Sequence, residues 1–464
     1  MQYIENKTFD EIRIGDHAEI VRTLQKGDID LFAAMSGDVN PEHFDPEFAK
    51  DNKYHKVIGH GMWGGSLFSA VLGTQLPGPG TIYVAQSLYF KKPVGLGDEV
   101  RARVTVRSKD DVSKQVIFDC AMFDKAGDLL LFGDAVVTAP TRKVRRPLAV
   151  LPEITIHDQG QLFRGFIDAA KQNEPVRIGV VHPCDAVSLA GAVDAFNEGL
   201  IAPVLVGPRA KIEAAARDAG LSIEGLAIED AAHSHAAAAR AVEMVREGRI
   251  DALMKGSLHT DELMAAVVGS QTGLRTERRL SHVFVFDVPH YSKPLMITDA
   301  AINIYPSLED KRDIIQNAID LAQALGIQVP KVAILSAVET INPKLASTIE
   351  AAALCKMADR GQITGGLLEG PLAFDNAISR EAAKTKKIDS AVAGDADILV
   401  APDLEAGNMI AKQLVYLAGA DCAGIVIGAR VPIVLTSRAD GALARVTSCA
   451  LAQLLHHRAR AVRA

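Results

Sequence analysis

Asp38 and His43 stand five residues apart in Met35-Ser-Gly-Asp-Val-Asn-Pro-Glu-His-Phe-Asp45, with Asn40-Pro41 forcing a turn between them. A carboxylate and an imidazole near each other suit acid–base work, because ordinary pKa values of about 3.9 and 6.5 bracket what a base and a proton donor need. The same string also reads as an Asx turn capping a helix, with His43 merely exposed. A second string, Gly59-His-Gly-Met-Trp-Gly64, matches G-x-G-x-x-G letter for letter. A dinucleotide site would need a preceding strand, a βαβ unit and an acid about 20 residues on. Pro77 to Gly80 stand there instead, so this match is a decoy. Cys120, Cys184, Cys355, Cys422 and Cys449 are scattered singly and read as buried reduced thiols, neither a disulfide framework nor a zinc knuckle.

The elements that must position these groups differ between two parts of the chain. Of 22 Phe and Tyr residues, 13 lie in residues 1–150, so the first third has an aromatic core. Ala, Val, Ile, Leu and Gly dominate the remainder. The basic, proline-punctuated stretch Thr141-Arg-Lys-Val-Arg-Arg-Pro-Leu-Ala-Val-Leu-Pro152 reads as a solvated linker. Residues 1–145 and 155–464 are therefore expected as two domains, joined by 146–154. The first reads as antiparallel strands around one helix. Val100 to Arg107 alternates strictly, and Tyr83 to Tyr89, Gln115 to Met122 and Leu129 to Val137 predict further strands. Gly61 to Leu76 is the helix, slim enough in its Gly, Ser and Ala to lie close to a sheet. In the second part, short apolar runs such as Arg177 to His182, Pro203 to Gly207 and Asp251 to Met254 alternate with amphipathic stretches. That pattern predicts an α/β doubly wound, largely parallel sheet, whose sites gather at the C-terminal strand edge.

Charge and hydropathy exclude some classes. The 464 residues carry 57 acids against 50 bases, a formal charge of −7, unlike a basic nucleic-acid-binding domain. No apolar run approaches the roughly 18 residues of a membrane span, and the start lacks an export signal's basic and apolar regions. A cytoplasmic protein is expected.

Three strings of the first part carry a resemblance. Ser36-Gly-Asp-Val-Asn-Pro-Glu-His43, Ile58-Gly-His-Gly-Met-Trp-Gly-Gly-Ser-Leu-Phe-Ser69 and Tyr89-Phe-Lys-Lys-Pro-Val-Gly-Leu-Gly-Asp-Glu-Val100 resemble the MaoC-like (R)-specific enoyl-CoA hydratases of the α+β hotdog fold. The resemblance covers roughly residues 8–140. It implies that Asp38 and His43 hold the water added across a trans-2-enoyl double bond. It also implies that the Gly61 N–H binds the thioester oxygen, where a helix N-terminus stabilises enolate charge. Ser66 and Ser69 fit the pattern too, though small serines at helical spacing also serve packing.

Residues 155–464 resemble the phosphate acetyl/butyryltransferase family in Asp251-Ala-Leu-Met-Lys-Gly-Ser-Leu-His-Thr260, Met296-Ile-Thr-Asp-Ala-Ala-Ile-Asn-Ile-Tyr-Pro306 and Gly370-Pro-Leu-Ala-Phe-Asp-Asn376. Ala401-Pro-Asp-Leu-Glu-Ala-Gly-Asn408 and Val431-Pro-Ile-Val-Leu-Thr-Ser-Arg-Ala-Asp440 continue it. The implied chemistry moves an acyl group between CoA and inorganic phosphate, with acyl-CoA as substrate, no metal and no tightly bound cofactor. Arg's planar fork suits phosphate, which makes Arg438 the anion ligand, with Ser437 beside it. Lys255, His259 and one of Arg278 or Arg279 are expected to complete the anion site, with Asp440 nearby. The acetyl-specific branch places a CoA-deprotonating acid several residues after Ser-Arg; here that position is about Ala444, so the base is unassigned. Both families imply a homo-oligomer.

The expectation is thus a fused enzyme with two acyl-CoA sites. The competing readings are a transacylase with a non-catalytic dimerising or acyl-CoA-sensing hotdog domain, and a metal- and nicotinamide-dependent dehydrogenase. The second lacks a clear carboxylate cluster beside the Ser-Arg element.

Overall fold

The alternation at 100–107 becomes part of the longest strand of an antiparallel sheet, with Val100, Ala102, Val104 and Val106 buried on one face. In the computed structural model, residues 3–51, 53–149, 160–435 and 440–463 are described. They divide into two units, Met1–His157 and Asp158–Ala464.

The strands of the first unit are β1 (Tyr3–Glu5), β2 (His17–Thr23), β3 (Ile82–Gln86), β4 (Tyr89–Phe90), β5 (Glu99–Asp110), β6 (Gln115–Asp124), β7 (Leu129–Thr138) and β8 (Arg145–Pro147). Its helices are α1 (Lys26–Ser36), α2 (Pro46–Lys50) and α3 (Gly61–Thr74). The main sheet runs β2-β5-β6-β7-β3, with β4 also on β7. Helix α3 packs on β5 and buries Phe68, Val71 and Leu72 among Val104, Phe118 and Met122. Its small residues permit this approach: a Cβ on Gly64 would stand 3.0 Å from the Met122 methyl.

Three features differ from the sequence expectation. The strand expected over 83–89 is two strands, because the Ser87 carbonyl approaches the facing Gly133, where a Cβ would lie 1.9 Å from that oxygen. Helices α1 and α2 accompany α3; α1 buries only Ile29 and Ala33, too few to print a helical stripe. The stretch expected as a linker from residue 146 begins inside a strand, since β8 pairs with β1, Ile4 facing Arg146. Residues 150–154 lie outside the described residues.

The second unit holds β9 (Val176–Val181), β10 (Ile201–Gly207), β11 (Ala227–Asp230), β12 (Ala252–Lys255), β13 (Ser281–Asp287) and β14 (Leu295–Thr298). Further on come β15 (Lys331–Leu335), β16 (Leu367–Leu372), β17 (Ile398–Val400), β18 (Asp421–Ile427) and β19 (Ile433–Val434). The early helices are α4 (Gln161–Ala170), α5 (Ala186–Asn197), α6 (Arg209–Ala219), α7 (Ser234–Arg246), α8 (Thr260–Val267) and α9 (Leu308–Ala324). The later ones are α10 (Ala346–Asp359), α11 (Phe374–Ile378), α12 (Arg380–Thr385), α13 (Leu404–Ala418) and α14 (Ala442–Arg463). The strands form one eleven-stranded sheet, β11-β10-β9-β12-β19-β18-β13-β14-β17-β15-β16. Seven neighbouring pairs are parallel, as the continuous apolar strands predict. The exceptions are β19–β18, β18–β13 and β13–β14, which are antiparallel. Strand direction therefore reverses in mid-sheet. Among the described residues, no helix is long and apolar enough to cross a membrane.

Each unit carries its own buried core. Fragments 1–157 and 158–464 are accordingly expected to unfold cooperatively when expressed alone. Trimming the first to residues 1–144 removes β8 and should lower its melting temperature by about 2–6 °C, the effect of about 1 kcal/mol in a domain of this size. Calorimetry of the two lengths checks this; equal melting temperatures would show that the β1–β8 pairing adds nothing.

Candidate active sites

In the first unit, the turn predicted at Asn40-Pro41 is a short 3-10 helix over Pro41–His43, capped by the Asn40 side chain accepting from the Glu42 N–H. Asp38 accepts from the Asn40 N–H at 3.3 Å, so the Asx geometry of the sequence reading is present and holds the carboxylate at the turn. His43 Nδ1 lies 2.8 Å from the Ile58 carbonyl. A carbonyl only accepts, so Nδ1 carries the proton and Nε2 is turned to Asp38. The two side chains are separated by 3.9 Å between Nε2 and Oδ2. That is too long for a direct hydrogen bond and the right span for a shared water. His43 is largely buried, whereas Asp38 is half-exposed.

Gly61 opens α3 beside them, where the first-turn N–H groups have no partner within the helix. A Cβ there would meet the Phe90 ring at 3.1 Å, so glycine lets that ring close the wall. A cavity of about 290 Å³ joins His43, His60 and Gly61 to the apolar Phe90, Val94, Met122 and Leu131. The structure thus brings Asp38, His43 and Gly61 together. Ser69 is not among them: it is exposed on α3 and absent from the cavity wall. Ser66 bonds the Trp63 carbonyl, a local helix contact.

His60 is the residue the sequence reading passed over. It is buried, its Nε2 donates to the Asp38 carbonyl at 2.9 Å, and its ring lies against that of His43, tilted by 37° with centroids 3.9 Å apart. It sits inside the G-x-G-x-x-G decoy, where the glycines drew the eye. Asp38, His43 and His60 each bring one ligand-type atom within 4.8 Å of the others. The 3.9 Å between His43 Nε2 and Asp38 Oδ2 also spans a shared water.

In the second unit, Lys255 ends β12 and His259 immediately precedes α8, both at the C-terminal strand edge. Lys255 is buried, with its ammonium 3.4 Å from the Gly256 carbonyl. Strand β19 lies beside β12 and leaves the sheet at this same edge toward Asp440. Ser437 and Arg438 lie outside the described residues. Asp440 is near Cys422, whose thiol is pushed well up by burial and by the charges of Asp440 and Asp421. Burial alone holds Cys449 at about 12. Neither thiol is poised as a nucleophile, consistent with direct acyl transfer.

Arg279 stands elsewhere. Register sets Met254 level with Val434, Val434 with Ile425, and Ile425 with Val283. Arg279 precedes Val283, and Lys255 follows Met254, on strands running the same way. About 17 Å of strand rise therefore divides them, at roughly 3.3 Å per residue. At that far edge Arg279 Nε donates to Asn303 at 2.7 Å, and Asn303 in turn donates to the buried Asp299 carboxylate at 2.6 Å. Asp299 also accepts from the Ala301 and Ile302 N–H groups. Arg278 pairs with Asp320. The expectation that Arg278 or Arg279 completes an anion site with Lys255 fails on strand direction: β13 runs the same way as β12 and starts level with it, so residues ahead of β13 lie at the opposite edge from the end of β12.

Comparison with known proteins gives two family matches. Residues 13–120 match the family described as "MaoC like domain", and residues 234–453 match "Phosphate acetyl/butaryl transferase". A phosphate acetyltransferase of Rhizobium meliloti is 63% identical over 65% of this chain and 96% of its own length. A branched-chain phosphotransacylase from Enterococcus faecalis is 30% identical, with a TM-score of 0.54, over 61% of this chain and 99% of that one. An R-hydratase from Pseudomonas aeruginosa is 39% identical over 33% of this chain and 99% of its own, with a TM-score of 0.33. With a long relative matched over nearly its whole length, the chain belongs to the phosphate acetyl/butyryltransferase family and carries a MaoC-like domain ahead of that unit.

Proposed function

We propose that the chain is bifunctional, the second unit moving an acyl group between CoA and inorganic phosphate and the first hydrating trans-2-enoyl-CoA with (R) specificity. The observation that carries the hydratase half is the 3.9 Å gap between His43 Nε2 and Asp38 Oδ2 at an apolar cavity that Gly61 also lines. A water in that gap donates one proton to the carboxylate and the other to Nε2. Its oxygen adds to C3 of the enoyl chain, and a proton held by the pair passes to C2. Charge builds on the thioester oxygen meanwhile, and the Gly61 N–H at the start of α3 stabilises it.

The transacylase half is supported by the identity to phosphate acetyltransferases over the second unit. Lys255 and His259 sit at the strand edge from which the chain leads through Arg438. Arg438 holds the phosphate by paired N–H bonds, with Ser437 as a hydroxyl contact. Fixed positive charge there favours the dianion in both reaction directions.

Asp38→Asn is expected to slow crotonyl-CoA hydration about 10²–10⁴-fold, the usual cost of losing a positioned base, while acyl transfer stays near wild type. Hydration at the wild-type rate would remove the assignment. Arg438→Lys keeps the charge but loses the fork, so acyl-phosphate formation should fall about ten- to a hundredfold, and further in Arg438→Ala. Thermal unfolding on the same preparations separates this from a structural ion pair, which would lower the melting temperature and leave turnover alone.

A further inference from the structure

The C-terminal edge of β9 holds a histidine that neither proposed activity has used. His182 directly follows β9, and its backbone is left-handed, φ 55°. A non-glycine residue rarely adopts that region, and such strain clusters where a site fixes it in place. Several backbone contacts hold it. The His182 N–H donates to Val206 at 2.7 Å, and the Ser257 N–H donates to the His182 carbonyl at 2.9 Å. Gly256 makes the approach possible, since a Cβ there would lie 2.3 Å from the Val181 carbonyl oxygen.

Ser257 sets the tautomer. Its hydroxyl donates to the His182 carbonyl at 2.8 Å and accepts the Cys184 N–H at 3.2 Å. With its one proton spent, the oxygen meets His182 Nδ1, 3.2 Å away, as an acceptor. Nδ1 therefore carries the ring proton, and the Nε2 lone pair is left unbonded among the described residues. A base oriented by a third group is the arrangement that proton abstraction needs.

The position matches the unassigned step. Val181 is the register partner of Lys255, and β12 lies between β9 and β19. His182 is thus two strand spacings, about 10 Å, from where the chain leaves β19 toward Asp440. We propose that His182 is the general base that takes the proton from the CoA thiol in acyl transfer, with Ser257 holding its ring. This rests on the transacylase reading above. In the direction from acyl phosphate, Nε2 accepts the thiol proton and sulfur forms the C–S bond. The acyl C–O bond then breaks, and phosphate leaves with the electron pair. In reverse, the imidazolium returns the proton to the departing thiolate.

Burial favours the neutral ring. Burial lowers its pKa below the ordinary imidazole value; Lys211 on α6 and His233 before α7 add to this, while Glu262 on α8 and Asp185 before α5 oppose it. Protonation in acid would then remove the base, giving turnover an acid limb below about pH 6.5.

His182→Asn is the informative variant, because asparagine tolerates left-handed backbone and its amide can still donate to Ser257. Acyl-CoA formation from acyl phosphate and CoA should fall about 10²–10⁴-fold in kcat, with the KM for CoA within about threefold and the acid limb abolished. His182→Gly suits the same φ and opens a space that free imidazole can occupy; added imidazole should restore turnover at least about tenfold. A variant that keeps wild-type kcat and its acid limb, or one that imidazole does not rescue, overturns the assignment. Loss of the limb in Asp440→Asn instead would make that carboxylate the base. If the wild-type chain makes no acyl-CoA at all, the transacylase reading falls, and this inference with it.

Discussion

The pairing of β12 with β9 on one side and β19 on the other is the constraint on which the second site depends. It places the segments after three strands on one edge: His182 after β9, Lys255 through His259 after β12, and the chain leading to Asp440 after β19. The contact is made tight by an absence. Gly256 has no Cβ, so the turn after β12 can press against the carbonyls of Val181 and His182 and donate hydrogen bonds to them. Any larger residue would have to push backbone, which cannot give as a flexible side chain can. Close backbone packing thus draws these three segments together.

The first unit uses the same economy differently. Small residues on α3 bring the helix against β5, β6 and the Phe90 segment, so that the helix start, with its unpaired N–H groups, reaches the cavity wall. The turn bearing Asp38 and His43 is then anchored from the other side. His43 donates to Ile58, and His60, the residue before α3, donates to Asp38. Two loops distant in sequence are locked through two imidazoles in contact, centroids 3.9 Å apart and tilted by 37°.

What the sequence disclosed follows from how local each feature is. Asp38, Asn40, Pro41 and His43 fall within one stretch of six residues, so turn chemistry and acid–base pairing were legible together. The parallel half of the large sheet announced itself in continuous apolar runs. Strand direction did not: nothing in Ser281 to Asp287 marks β13 as antiparallel to both its neighbours, or shows that it runs the same way as β12, which leaves Arg279, ahead of β13, at the far edge. His60 was masked by the glycines around it. His182 was illegible for a further reason, since its partner Ser257 lies 75 residues on and its left-handed backbone leaves no mark in residue type. Ser69 fits the string, and its side chain is exposed on α3.

One feature of the first unit bears on how such a chain can be assembled. Because β1 and β8 pair side by side, the unit's first and last strands lie about 5 Å apart, one strand spacing. A fold closed on itself in this way asks almost nothing of the polypeptide it is spliced into, since its two ends fit the gap of an ordinary surface loop. The hotdog unit is therefore a portable cassette: it could be grafted into an unrelated host, or rejoined head to tail and reopened elsewhere, without unpicking its sheet.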